Sequence, residues 1–366
     1  MKKLLVLGFA LAIALPVGHL VYDRLPPADV DRESPAWKSR MDALARAAVF
    51  IDGQPGVTAA PYDEADLECR YDPERTSGTT PKFDCVLPGG ETVKVKYGVN
   101  PEIPGEVGAT LLLKAAGFAA DDMRIVRRVR CYGCPRSPYR SRQVAEWFFV
   151  ADILDGFLDY TSYADFTNVA VERKLSARAM EVGEHKGFGF YELGAVDPAR
   201  GGASRAEVDA FRLMAVLLAH WDNKASNQRL VCLGDTSDDS AEPCARPLIM
   251  MQDLGATFGP RKVTLSGWTQ SPIWRDAEGC MVSMTHLPYE GATFGEVEIS
   301  EGGRALLASK LGALSRDDLT RLLRTAHFPD ARSGRPGAED VSPWVDVLQQ
   351  KIAAITARSC ASSPSR

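Results

Sequence analysis

The sequence predicts an α+β fold in two lobes, a small β-rich part with one helix followed by a larger, mostly helical part. Three observations predict it. Strand-like segments separated by short polar turns crowd into residues 67–98. A stretch with helical apolar spacing follows directly at 104–118. The later chain is dominated by helical periods, the clearest being SRAEVDAFRLMAVLLAH, which opens with a capping box of Ser204 and Glu207.

In chain order, Trp37, Met41, Leu44 and Val49 at helical spacing predict a helix over 34–49. LECRYD, KFDCVL and ETVKVKYG predict a three-stranded meander joined by PERTSGTTP and PGG. In its third strand Val93, Val95 and Tyr97 share one face, and Thr92, Lys94 and Lys96 the other. PGEVGATLLLKAAGF reads as a helix with Val107, Leu111, Leu112 and Ala115 inward, ended by Gly117. Strands are expected at 125–130, in NVAVERKL and in GFGFYEL, and a helix over 144–158. Three helices close the chain at 301–311, 316–327 and 343–358, the last with Ser342 as cap and Pro343 in its first turn. Trp147, Phe148 and Trp221 are assigned to the core. The expected organisation is a signal peptide or membrane anchor at 1–22, a linker at 23–35, an N-lobe at 36–130, an interlobe region and hinge at 131–203, and a C-lobe at 204–366.

The 366 residues, 45% of them hydrophobic, suffice for a sizeable core. With a net charge of −5, nothing suggests general nucleic-acid binding, which wants a basic face. The N-terminus carries two lysines and then an almost uncharged apolar stretch over 4–22. That pattern predicts export, through an uncleaved anchor in preference to a cleaved signal, with the rest of the chain outside the cytoplasm in periplasm, envelope or secretory lumen.

Eight cysteines agree with export. Sequence neighbours are expected to pair: Cys69 with Cys85, Cys131 with Cys134, Cys232 with Cys244, and Cys280 with Cys360. Zinc is the competitor. CYGC offers half of a four-thiolate site, but the chain has no second CxxC and only five scattered histidines. A thioredoxin-like use of CYGC lacks its βαβ context.

Two apolar runs end in carboxylates. FRLMAVLLA leads into HWDNKASN, with Asp222 and, five residues on, Asn227; LIMM leads into QDLGATFG, with Asp253. Each motif alone is an ordinary loop. Lys94 and Lys96 alone are the solvated face of a strand, and Glu106 alone favours a helix N-terminus. Taken in order, they form the set that phosphoryl transfer needs: a Lys on phosphate oxygens, a Glu to hold it, a carboxylate to orient the acceptor, and a carboxylate with an amide oxygen for Mg2+.

HWDNKASN resembles the protein-kinase catalytic loop, and DLG stands where DFG stands. VKVK resembles the strand of the nucleotide lysine. DLGATFG is similar to the metal-binding motif of the secretory-pathway casein kinases of the Golgi lumen, and GEVGATLL resembles their Glu-bearing helix. HipA-type toxin kinases share the plan. The resemblance spans roughly 67–259. It implies a two-lobed protein-kinase-like fold, ATP or another nucleotide, and Mg2+ or Mn2+. It implies Asp222 and Lys96 as catalytic residues, Asp253 and Asn227 as metal ligands, and Lys96 or Lys94 on phosphates with Glu106 holding the lysine. SGTTPK, with Ser77, Gly78 and Lys82, would form the phosphate-covering turn. The turn has no GxGxxG, and His-Trp-Asp replaces His-Arg-Asp. His220 is read as a structural histidine. The implied activity is phosphoryl transfer to a hydroxyl of a protein or glycan. A catalytically silent envelope scaffold and a nucleotidyl transferase are the alternatives.

Overall fold

The computed structural model describes residues 30–51, 63–74, 78–235, 237, 239–261, 263–276, 278–287, 291–328 and 340–360. The expected anchor, and Ser77, lie outside these residues. Ser34 accepts a hydrogen bond from the Trp37 amide through its hydroxyl (3.2 Å) and so starts α1, Pro35–Ala45. The helix ends earlier than its apolar spacing predicts. The chain beyond it turns extended, and Ala48 bridges Leu248 far along the chain.

Five strands close into a barrel: β1 (Asp63–Asp72), β2 (Lys82–Val86), β3 (Thr92–Lys96), β4 (Asp122–Tyr132) and β5 (Tyr163–Arg173). Their order is β1-β2-β3-β5-β4, and parallel pairing of β4 with β1 completes the ring. The barrel therefore draws on a strand beyond the 36–130 block expected to supply it. Alternation puts Phe83, Cys85, Val93 and Val95 in its interior, and Phe166, Val169 and Val171 of β5 join them across a break in alternation at Asn168, whose φ is 51°. The outward positions of β2 and β3 carry Lys82, Asp84, Lys94 and Lys96.

Helix α2 (Glu102–Ala115) lies over the outer face of the barrel, contacting β4 and β5. Its other side seats against the later chain so closely that a Cβ at Gly108 would stand 2.5 Å from the Phe328 ring. Gly117, at φ 84°, stops it as expected.

The single helix expected over 144–158 is two short ones, α3 (Pro138–Trp147) and α4 (Ala151–Asp155), broken at Phe149, whose φ is 56°. Trp147 and Phe148 are not core: they are 80% and 67% exposed. Only Pro138, Tyr139 and Ala145 of α3 are buried, so the break turns the apolar end of the hairpin outward.

The later chain packs α5 (Arg205–Leu218) against α7 (Glu301–Gly312), with α8 (Arg316–Thr325) and α9 (Ser342–Ala357) beyond. Ser204 and Glu207 form the predicted capping box. Val341, not Ser342, caps α9; Ser342 is its first residue. The short helix α6 (Leu265–Gln270) brings Trp268 against Phe258 and Trp344. A three-stranded sheet, β6 (Ala177–Ala179), β7 (Gln228–Leu233) and β8 (Pro247–Met251), receives α1. GFGFYEL is not a strand. Phe190–Ala195 forms a 3-10 helix because Glu192 folds back to accept from the Gly189 amide (2.8 Å), and Phe190 and Leu193 turn into the core.

All four expected disulfides form, Cys69–Cys85, Cys131–Cys134, Cys232–Cys244 and Cys280–Cys360. They suggest an oxidising, extracytoplasmic environment. No helix among the described residues is long and apolar enough to cross a membrane.

Candidate functional site

Because Val93 and Val95 turn into the barrel, Lys96 turns outward beneath α2, where it is 3% exposed. Its Nζ lies 2.5 Å from Glu106 Oε1 and 3.0 Å from Glu172 Oε2. Glu106 stands in the second turn of α2, one turn later than the sequence suggests. Glu172 comes from β5, two residues past Ala170, the residue paired with Lys96. Burial pulls the Lys96 ammonium down, but Glu106, Glu172 and Asp253 hold it well above the ordinary lysine value. Burial pushes Glu106 up to about 7, against the pull of Lys96. Lys94 shares the outward face but is engaged elsewhere, 3.0 Å from Asp84.

Lys82 sits directly opposite Lys96 in the β2–β3 register, so the two side chains leave the sheet side by side. Lys82 is 8% exposed and has no hydrogen bond or ion pair among the described residues. Burial and the charge of Lys96 both lower its pKa, while Asp253 and Glu106 raise it. Its Nζ fills the space beneath Gly78: a Cβ there would lie 3.0 Å away, and the backbone is left-handed at φ 88°. The turn is held from two sides. Tyr139 Oη donates to the Gly78 carbonyl (2.5 Å), and Thr80 Oγ1 donates to Glu102 Oε2 (2.6 Å).

Asp222 and Asp253 are delivered by different elements to one place. After α5, Ala219 takes a left-handed turn at φ 50° and the chain enters the HWDNKASN loop. The Trp221 amide donates to the Ala256 carbonyl (3.1 Å), tying this loop to DLGA. The Gln252 amide donates to the Asn227 carbonyl (3.0 Å), so Asn227 and Asp253 flank the same end of the β7–β8 hairpin. Asn227 Nδ2 donates to the Asp222 carbonyl at 2.7 Å. Asp222 itself is half-buried and pairs with Lys224 at 3.1 Å. Asp253 is exposed at φ 49°, and its carboxylate has no ion pair or hydrogen bond among the described residues. It acts electrostatically on Lys82, Lys96, Glu106 and His220.

His220 is fully buried, with Nε2 3.1 Å from Gln228 Nε2, and burial pushes its pKa down to about 4 against the pull of Asp222 and Asp253. It is neutral at physiological pH and shapes the loop from beneath.

No family model matches the chain, and no curated protein matches it. Among solved structures it is similar to a Helicobacter pylori proinflammatory kinase, CtkA, at 9% identity and a TM-score of 0.42. The alignment covers 80% of this chain and 95% of that one.

Lys82, Lys96, Glu106 and Asp253 thus form one electrostatic cluster, with Asp222 linked to it through His220. Ser77 lies outside the described residues, and Lys94, paired with Asp84, acts on Lys82 and Glu172 through its charge. An exposed free carboxylate suits a hard divalent cation, and a buried free ammonium suits an anion. Donors of these types could hold a metal-bound phosphate chain, and Asp253 and Asn227 lie at the same end of the β7–β8 hairpin.

Three residues escaped the sequence reading. Glu172 was legible, since alternation in NVAVERKL puts it on the face opposite Val169 and Val171. Lys224 sits within the loop motif with no feature to single it out. Asn223 is buried and pins the loop: Oδ1 accepts from the Thr293 and Phe294 amides (both 2.9 Å), and Nδ2 donates to the His220 carbonyl (2.9 Å). The Thr293 and Phe294 amides lie 70 and 71 residues away, beyond the reach of any local pattern.

Proposed function

We propose that the chain is a Mg2+- or Mn2+-dependent phosphotransferase on a two-lobed, protein-kinase-like frame, transferring a phosphoryl group from a nucleotide to a hydroxyl of a protein or glycan. One observation carries the reading. Lys82 and Asp253 bear opposite charges and feel one another, yet neither is paired among the described residues, and both act on the fully paired Lys96. A phosphate with its metal supplies the missing partner to each.

Lys96, held by Glu106 and Glu172, presents a fixed positive charge to non-bridging oxygens. Lys82 gives a second. The divalent ion, held by Asp253 and Asn227, would offset charge on the transferring group. Asp222, steadied by Lys224, orients the acceptor hydroxyl and takes its proton as the oxygen bonds to phosphorus and the bond to the leaving diphosphate breaks. His220 stays neutral and contributes position. The four disulfides fit an exported enzyme, anchored by its N-terminal segment.

The test is thermal stability with nucleotide and Mg2+ or Mn2+, followed by transfer of labelled γ-phosphate to a generic protein acceptor. Wild type should gain stability that Asp253→Ala does not. Equal response of the two proteins to every nucleotide would sink the proposal.

A further inference from the structure

The CYGC motif plays no part in the cleft, and the structure gives it a neighbour the sequence conceals. Cys69 and Cys131 are register partners on the parallel β1–β4 pair, and Cys85 enters from β2 opposite Tyr71. Across the two disulfides, Cys85 Sγ lies 3.6 Å from Cys131 Sγ. The sulfurs of Cys69, Cys85 and Cys131 all fall within 4.8 Å of one another, and Cys134 is bonded to Cys131. All four cysteines are buried in the barrel's apolar interior.

We infer that these four cysteines make up a single redox-convertible metal site, two disulfides when oxidised and a closed tetrathiolate Zn2+ centre when reduced. Zinc–sulfur bonds of about 2.3 Å place tetrahedral ligands about 3.8 Å apart, close to the spacing already present between Cys85 and Cys131. The CxxC turn supplies two ligands from one end of β4. Gly133, left-handed at φ 79°, closes that turn in a place where a Cβ would strike the Tyr160 ring at 2.6 Å. The β1–β2 pair supplies the other two ligands, so a second CxxC is unnecessary. Among the described residues no other group of three or more cysteine, histidine or carboxylate side chains lies in ligand range.

The conversion balances. Two equivalents of a dithiol deliver four electrons and four protons, each disulfide yielding two thiols. Zinc then displaces four thiol protons as four Zn–S bonds form. The disulfides staple β1 to β2 and close the β4 turn separately, whereas the metal would join β1, β2 and β4 at one point. The site would serve the chain in a reducing compartment, before export or after attack by a dithiol.

The experiment uses the full chain, reduced anaerobically with a phosphine and titrated with Co2+. One Co2+ per chain, with the visible and thiolate charge-transfer absorption of a tetrahedral sulfur site and displacement by Zn2+, is the expected result. Native alkylation of the reduced, zinc-loaded wild type should then spare Cys69, Cys85, Cys131 and Cys134 and modify Cys232, Cys244, Cys280 and Cys360. Because mapping is done on wild type, it does not depend on any variant folding. Cobalt bound without thiolate absorption, no cobalt bound, or all eight cysteines modified at one rate would each overturn the inference. None of these outcomes bears on nucleotide binding in the cleft.

Discussion

Lys82 and Lys96 stand opposite one another on paired strands, both almost wholly buried, Lys96 gripped by two carboxylates and Lys82 by none among the described residues. Lys82→Met removes a desolvated cation whose attraction to Asp253 and Glu106 does not offset its burial and the repulsion of Lys96. The variant should be more stable than wild type by about 1–3 kcal/mol, a rise of several degrees in melting temperature. It should also lose most of the stabilisation that a polyphosphate ligand gives wild type. Differential scanning fluorimetry with and without nucleotide measures both. A variant that is less stable yet keeps the ligand response would show Lys82 to be a structural residue.

Asp222 and Asp253 separate binding from transfer. Neither is buried, so Asn at either position should change stability by less than about 1 kcal/mol. Asp253→Asn should lose metal-dependent nucleotide binding. Asp222→Asn should bind nucleotide normally and transfer phosphate about 100- to 10,000-fold more slowly. Calorimetric titration beside a transfer assay distinguishes them, and retained transfer in Asp222→Asn would remove that residue from its role.

His220 links the cleft to pH. Its folded pKa is about 4 against an unfolded value of 6.5. Between those values the unfolded chain binds the proton and the folded chain does not, so stability falls as pH drops through this window. The full loss is about 3 kcal/mol. Glu106, raised by burial, acts in the opposite sense between 4.5 and about 7. The effect of His220 is therefore read as the difference between wild type and His220→Gln in urea midpoints across pH 4 to 7. A difference that does not vary with pH would contradict the buried neutral state.

Asn223 should matter more to folding than its catalytic-loop neighbours. Asn223→Ala orphans the Thr293 and Phe294 amides and the His220 carbonyl, a loss of about 2–4 kcal/mol. Chemical denaturation should show that loss, whereas Asp222→Asn should not.

Much of this was legible in the sequence because strand alternation is a local rule. It separates Val93 and Val95 from Lys94 and Lys96, and applied to NVAVERKL it would have added Glu172. It could not choose Lys96 over Lys94, because that choice depends on α2 lying over one end of β3 and on Asp84 lying opposite the other lysine. The free state of Lys82 is likewise a tertiary fact, decided by what is missing around it. Trp147 and Phe148 mark a different limit. Apolar composition reports a cost of exposure but not whether the chain meets it, and the break at Phe149 sends these rings to solvent. The cysteine pairings were readable for neighbours, whereas the contact between two disulfides required the parallel register of β1 and β4.

That parallel register also dictates an order of events as the chain folds. The β1–β2–β3 meander is contiguous, and its Cys69–Cys85 bond spans only 16 residues, so both can form early. Pairing of β1 with β4 must wait for the crossing through α2, because parallel strands cannot be joined by a tight turn, and closure needs β5 as well to join β3 to β4. Until then β1 presents an unpaired edge. The β1–β4 pairing is thus also the step that carries Cys131 to within reach of Cys85, and a chain stalled before it would hold an open sheet and two sulfur pairs that have never met.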